Sequence, residues 1–148
     1  MAVLVTGGAG YIGSHTAVAL HEAGREVVIV DNFSNSSPKA VDAVRALTTD
    51  SMVMVEVDML DSGALARVFK DHDIDEVIHF AAYKAVGESV DKPLDYYRNN
   101  LGSTIGLIEA MVQAGVSKLV FSSSCTVYGQ PSVIPVTEAA PTGAESPY

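Results

Sequence analysis

Val3-Leu4-Val5-Thr6-Gly7-Gly8-Ala9-Gly10-Tyr11-Ile12-Gly13 is the stretch on which the reading of the fold turns. A short valine-rich apolar run stops at Thr6-Gly7-Gly8-Ala9-Gly10. Apolar residues at helical spacing (Ile12, Ala17, Leu20, Ala23) then continue to Gly24, a C-cap candidate. The order is strand, glycine turn, helix. Val27-Val28-Ile29-Val30 follows without alternation, as expected of a strand covered on both faces, and ends at Asp31. Two parallel strands thus flank one helix.

Working outward, the pattern repeats. Helices are expected over 38–47 and from Ser62 to about His72, with strands at 53–57 and 76–80. A longer helix is expected over 93–114, capped by Gly115, and a fifth strand at 118–122. Five strands separated by helices, without hairpin dipeptides, predict an α/β fold: a doubly wound parallel sheet of Rossmann-like type, truncated after its fifth strand. From Ser123 the composition turns to Ser, Thr, Pro and Gly, and no further strand or helix is evident. We therefore read 1–122 as a dinucleotide-binding core and 123–148 as an active-site loop segment. Its supporting elements are expected beyond Tyr148, in a longer protein with a C-terminal substrate domain.

Composition narrows the function. The chain has 148 residues, 9 Lys and Arg against 18 Asp and Glu, and a formal net charge of −9. Such acidity excludes phosphate-backbone recognition, so no nucleic-acid partner is expected. With 48% apolar and 18% charged residues, one globular core is expected. The N-terminal residues have no basic flank and no apolar stretch long enough for a signal peptide or a membrane span, so a cytoplasmic protein is expected. Cys125 is alone, and His15, His21, His72 and His79 show no paired ligand spacing; neither a disulfide nor a metal is expected.

Gly7, Gly10 and Gly13 follow a strand and open a helix. Glycines there permit a tight turn, close approach of backbone N–H groups to a pyrophosphate, and tight helix-to-strand packing, while the helix N-terminus stabilises the anion. Asp31, 31 − 7 = 24 residues after Gly7, stands where a carboxylate accepts hydrogen bonds from a ribose and repels a 2′-phosphate. This pattern points to NAD rather than NADP. Asp31 also opens the turn Asp31-Asn32-Phe33-Ser34-Asn35, and a purely structural role in that turn stays open.

These residues resemble the fingerprint of the extended short-chain dehydrogenases/reductases. The chain is similar in particular to the UDP-hexose 4-epimerases of that family. The similarity rests on Asp31-Asn32, His79-Phe80-Ala81-Ala82, Lys84-Ala85-Val86-Gly87-Glu88-Ser89-Val90, Pro93-Leu94-Asp95-Tyr96-Tyr97, Asn99-Asn100 and Ser122-Ser123-Ser124-Cys125-Thr126-Val127-Tyr128-Gly129. The resemblance spans nearly the whole chain, and its most specific block is 84–90.

The resemblance implies roles for individual positions. Gly7, Gly10, Tyr11, Ile12 and Gly13 match the pyrophosphate turn. Asp31, Asn32, Asn35 and Ser36 match the adenosine ribose and its surroundings, and Asp58 with Met59 the adenine contact. Phe80, Ala81, Ala82, Lys84, Asn99 and Ser122 match the rest of the NAD site. Ser124 and Tyr148 match the catalytic Ser and Tyr and, with Lys84, the substrate contacts. Read singly, Phe80 and Ala81 are also plausible core, Asp58 a turn residue before a helix, and the serine triplet a helix N-cap. His79 reads as a satisfied core histidine.

The activity implied is transient oxidation of a UDP-sugar at C4, which interconverts UDP-galactose and UDP-glucose with retained NAD. The family's motif puts a Lys four residues after Tyr148, beyond this sequence, so the chain alone is expected to be weakly active at best. Related dehydratases carry an Asp-Glu pair where Cys125-Thr126 stands here, and thiol and hydroxyl are poor general acids for eliminating water. Epimerases acting on N-acetyl or pentose sugars, decarboxylases, and a non-catalytic NAD-binding module stay open as alternatives. The family also implies a homodimer, with 93–114 as the candidate interface.

Overall fold

In a computed structural model, which describes residues 1–48 and 52–148, the chain alternates strands and helices as its apolar pattern demands. The elements are β1 (Ala2–Thr6), α1 (Tyr11–Glu22), β2 (Glu26–Asp31), α2 (Pro38–Leu47), β3 (Val53–Glu56) and α3 (Ser62–Asp71). There follow β4 (Ile74–His79), α4 (Val86–Asp91), α5 (Pro93–Tyr96), α6 (Gly102–Ala114) and β5 (Lys118–Phe121). All strand pairs are parallel, in the order β3-β2-β1-β4-β5.

The two-sided burial inferred for the apolar strands has a direct cause. Ala2 and Leu4 of β1 face one layer with Val28 and Val30, packed on Leu65 and Val68 of α3 and Leu107 and Met111 of α6. Val3 and Val5 face the other layer with Val27 and Ile29, against Ala17 of α1 and Val44 of α2. Side chains alternate across a strand, so a strand with helices on both faces must be apolar at every position.

Helix boundaries follow local chemistry. Ser37 caps α2 by accepting from the Lys39 N–H at 3.3 Å, with Pro38 at the first helical position. Asp61 caps α3 by accepting from the Ala64 N–H at 2.9 Å. Gly115 ends α6 in the left-handed region, at φ +73°.

Three local features depart from the sequence expectation. The helix expected over 93–114 is continuous in backbone conformation but widens into a π turn at Tyr97–Leu101. A separate short helix, α4, precedes it. After Ser123, a 3₁₀ turn forms at Cys125–Tyr128, with Ser124 as its N-cap. All three are too short to carry a helical period, and they go with hydrogen bonds to side chains, some of them distant in sequence.

Strand order reverses at β1: β2 and β3 lie to one side, β4 and β5 to the other. Backbones diverge there, so a crevice opens beyond the C-terminal ends of β1 and β4, the usual ligand position in such sheets. Thr6 pairs with His79 at those ends, and Gly7 and Phe80 begin the two loops that part.

Candidate functional site

At the crevice, the glycine turn lies directly against the end of β4. Gly7 has φ +66°, and a Cβ on it would stand 2.8 Å from the Ala81 backbone nitrogen. A Cβ on Gly13 would overlap the Gly7 carbonyl oxygen and come within 2.7 Å of the Gly8 Cα. Neither position has room for a side chain, so α1 starts tight against the sheet. Gly10 caps α1 with no side-chain acceptor, which leaves its first N–H groups pointing into the crevice.

Asp31 closes the other side of the turn. Its Oδ2 accepts from the Ala9 N–H at 3.0 Å, and its Oδ1 from the Phe33 N–H at 2.9 Å and the Ser36 hydroxyl at 2.8 Å. These bonds hold Phe33 in a left-handed conformation at φ +55°. Asn32 donates to Asp58 at 3.3 Å, bringing the loop after β3 to the same edge.

The cleft so formed has a volume of about 480 Å³. Gly7, Gly10, Tyr11, Ile12 and Gly13 make its floor. Asp31, Asn32, Asn35, Ser36, Asp58 and Met59 line one end. Phe80, Ala81, Ala82, Lys84, Asn99 and Ser122 line the other, and Tyr148 also lines the cleft. Every position assigned from the sequence to the cofactor therefore meets at one cleft. Ser124 does not line it; its Oγ accepts from the Thr126 N–H at 3.2 Å and bonds the Thr126 hydroxyl at 2.9 Å. Ser122 and Ser123 of the same triplet do line it.

Sequence reasoning passed over Ser34, Tyr83, Ser103 and Ser123, which share this cleft. Ser103 lies four residues after Asn99, and that helical spacing was the available signal. Asn100, quoted for the resemblance but given no role, has its Oδ1 accepting from the Tyr83 N–H at 2.8 Å while its Nδ2 donates to the Tyr83 carbonyl at 3.0 Å. This two-bond clamp fixes the backbone beside Lys84. Tyr83 and Lys84 also border a second cleft of about 740 Å³, with Glu88, Lys92 and Tyr96 on its wall.

His79 sits below the clefts, 2% exposed, between Thr6 and Thr104. The Thr104 hydroxyl donates to the Asn100 carbonyl at 2.7 Å, so its oxygen accepts from His79 Nε2–H at 3.1 Å, and His79 Nδ1 accepts from the Thr6 hydroxyl at 2.6 Å. Burial pushes the imidazole down to about 4. It is a neutral structural group. Among the described residues, no group of three or more His, Cys, Asp or Glu could hold a metal ion, and no helix is long and apolar enough to cross a membrane.

A parallel doubly wound sheet with a glycine cradle, a helix N-terminus and a strand-end carboxylate at its switch point defines a dinucleotide-binding domain. The chain belongs to the NAD dependent epimerase/dehydratase family, whose model matches residues 3–148. It is 55% identical over all its length to UDP-glucose 4-epimerase of Bacillus subtilis (strain 168), covering 44% of that protein. It is 56% identical to the Homo sapiens UDP-glucose 4-epimerase over 99% of the chain and 44% of that protein. The structure of UDP-glucose 4-epimerase from Bifidobacterium longum in complex with NAD+ and UDP superposes with a TM-score of 0.96 at 49% identity. That match covers 100% of this chain and 44% of the other. The chain therefore spans less than half the length of the relatives it matches.

Proposed function

We propose that the protein carrying this chain is a UDP-hexose 4-epimerase, a homodimeric cytoplasmic isomerase that interconverts UDP-galactose and UDP-glucose with tightly held NAD. The observation that carries this reading is the convergence of the glycine cradle, Asp31, Lys84 and Tyr148 on one cleft. The residues fit the cofactor: Gly7 and Gly13 have no room for a Cβ, and the open first turn of α1 offers N–H donors to a pyrophosphate. Asp31 keeps lone pairs for ribose hydroxyls, since Oδ2 accepts only the Ala9 bond.

When bound, NAD supplies hydride acceptance and return at sugar C4. The chain's own part is proton handling and orientation. The Tyr148 phenol takes the proton of the C4 hydroxyl. Ser124, the second catalytic position the resemblance implies, has to turn its hydroxyl away from Thr126 to hydrogen-bond the same oxygen. An ordinary phenol, with a pKa of about 10, needs a nearby positive charge to ionise at neutral pH. The family motif puts that Lys four residues after Tyr148. Lys84, on the same cleft, would help hold the cofactor and the substrate.

An exposed apolar stripe on the π turn and α6 (Leu101, Ile105, Ile108 and Val112, spaced at helical intervals) supports pairing through this face. The test of function is an NMR time course of the complete natural protein with UDP-galactose and NAD+, following the anomeric signals. Conversion to UDP-glucose is expected, with Tyr148→Phe lowering kcat at least about 100-fold. A wild-type protein that binds NAD+ and leaves UDP-galactose unchanged would overturn the reading.

A further inference from the structure

We propose that Ser89 is a positioning residue for Tyr148, an inference that rests on Tyr148 being the proton-transferring group. Ser89 is fully buried in α4. Its Oγ lies 2.6 Å from the Val86 carbonyl oxygen, which can only accept, so the hydroxyl proton is committed there. What remains on Oγ is acceptor capacity, and the backbone N–H of Tyr148, 59 residues away in sequence, donates to it at 3.3 Å. A small apolar residue would fill this position equally well. The hydroxyl is what lets α4 hold the backbone of Tyr148.

The platform beneath this contact is itself fixed. Ala85 caps α4 without a side-chain bond, and its N–H donates instead to the Tyr96 hydroxyl at 3.1 Å. Tyr96, 2% exposed, donates in turn to Glu88 Oε2 at 2.9 Å, while Glu88 Oε1 accepts from Lys92 at 3.0 Å. One short helix, secured at its first turn by a buried tyrosine, thus leads directly from Lys84 and carries the acceptor for Tyr148. Lys84 and Tyr148 are set relative to each other by α4. A phenol pivots about its own backbone, and displacements of about 1 Å in reacting groups can cost about 100-fold in rate.

The experiment compares wild type, Ser89→Ala, Ser89→Cys, Tyr148→Phe and the Ser89→Ala/Tyr148→Phe double variant in the complete natural protein, each checked for its melting temperature and NAD+ affinity. Ser89→Ala is expected to lower kcat about tenfold with KM for UDP-galactose within about twofold. Ser89→Cys, of similar size but with a weakly accepting sulfur, is expected to fall between. In the Tyr148→Phe background, Ser89→Ala is expected to have no further effect on the residual rate, because a residue acting through the phenol has nothing left to position. Hydrogen exchange of the Tyr148 amide is expected to quicken in Ser89→Ala. Unchanged kcat, an equal loss in both backgrounds, or unchanged exchange would each overturn the proposal. A wild-type protein without epimerase activity overturns instead the reading of the site on which it rests.

Discussion

The backbone N–H of Ala9 donates to Oδ2 of Asp31 at 3.0 Å, so one carboxylate ties the glycine turn to the end of β2. The two readings of Asp31 open from the sequence, ribose acceptor and turn anchor, are compatible in one side chain. Its oxygens hold three protein donors and still face the cleft.

Replacing Asp31 by Ala removes the acceptor from the Ala9 N–H, the Phe33 N–H and the Ser36 hydroxyl together. A destabilisation of about 2–4 kcal/mol is expected, since donors without partners cost about 1–3 kcal/mol each when buried and less where water reaches them. Urea denaturation with and without NAD+ checks it: the variant should also lose the stabilisation that the nucleotide confers on wild type.

Gly13→Ala is expected to be among the most damaging single-methyl additions in the chain. The new Cβ would overlap the Gly7 carbonyl, a backbone atom that cannot turn aside. Forcing α1 away from the turn should cost about 1–3 kcal/mol, as overpacking does, and abolish NAD+ binding by calorimetry. Gly87→Ala serves as the control, because nothing lies near a Cβ there.

Acid should weaken the fold through His79. Its folded pKa of about 4 lies below the ordinary value of 6.5, so the unfolded chain binds the proton first. The contribution is complete above about pH 6.5 and is lost as pH falls toward 4, reaching about 3 kcal/mol. In His79→Gln, the stability difference from wild type should shrink across this window when denaturation is followed at several pH values.

Ile105→Glu, on the exposed stripe of α6, is expected to convert a dimer of the complete protein into monomer, as read by analytical ultracentrifugation. Its melting temperature at low protein concentration should stay close to that of wild type, because the side chain is outside the core. A dimer unchanged by this charge would place the interface elsewhere.

Much of this fold was legible because burial writes itself into residue order. Unbroken Val-Val-Ile-Val predicts a strand covered on both faces, and Gly7, Gly10 and Gly13 predict a tight turn, in which Gly7 and Gly13 have no room for side chains. Boundaries were legible where a cap is chemical, as at Ser37-Pro38 and Gly115. The elements that escaped, α4, the π turn and the 3₁₀ turn, are set by long-range or side-chain hydrogen bonds rather than by apolar period. Tyr96 under Ala85 and Asn100 on Tyr83 are examples.

By itself, then, the sequence determined the parallel α/β sheet, its switch-point glycines and the carboxylate after the second strand. Those depend on interactions within a strand-turn-helix unit, which local residue order encodes. Tertiary structure alone decided that α4 carries the acceptor for Tyr148 and that Asn100 clamps the chain beside Lys84. It also set Ser124 as a turn cap while Ser122 and Ser123 face the cleft. Each of these is a hydrogen-bonding choice, and such choices follow from which donors and acceptors the packed chain brings within about 3 Å of each other.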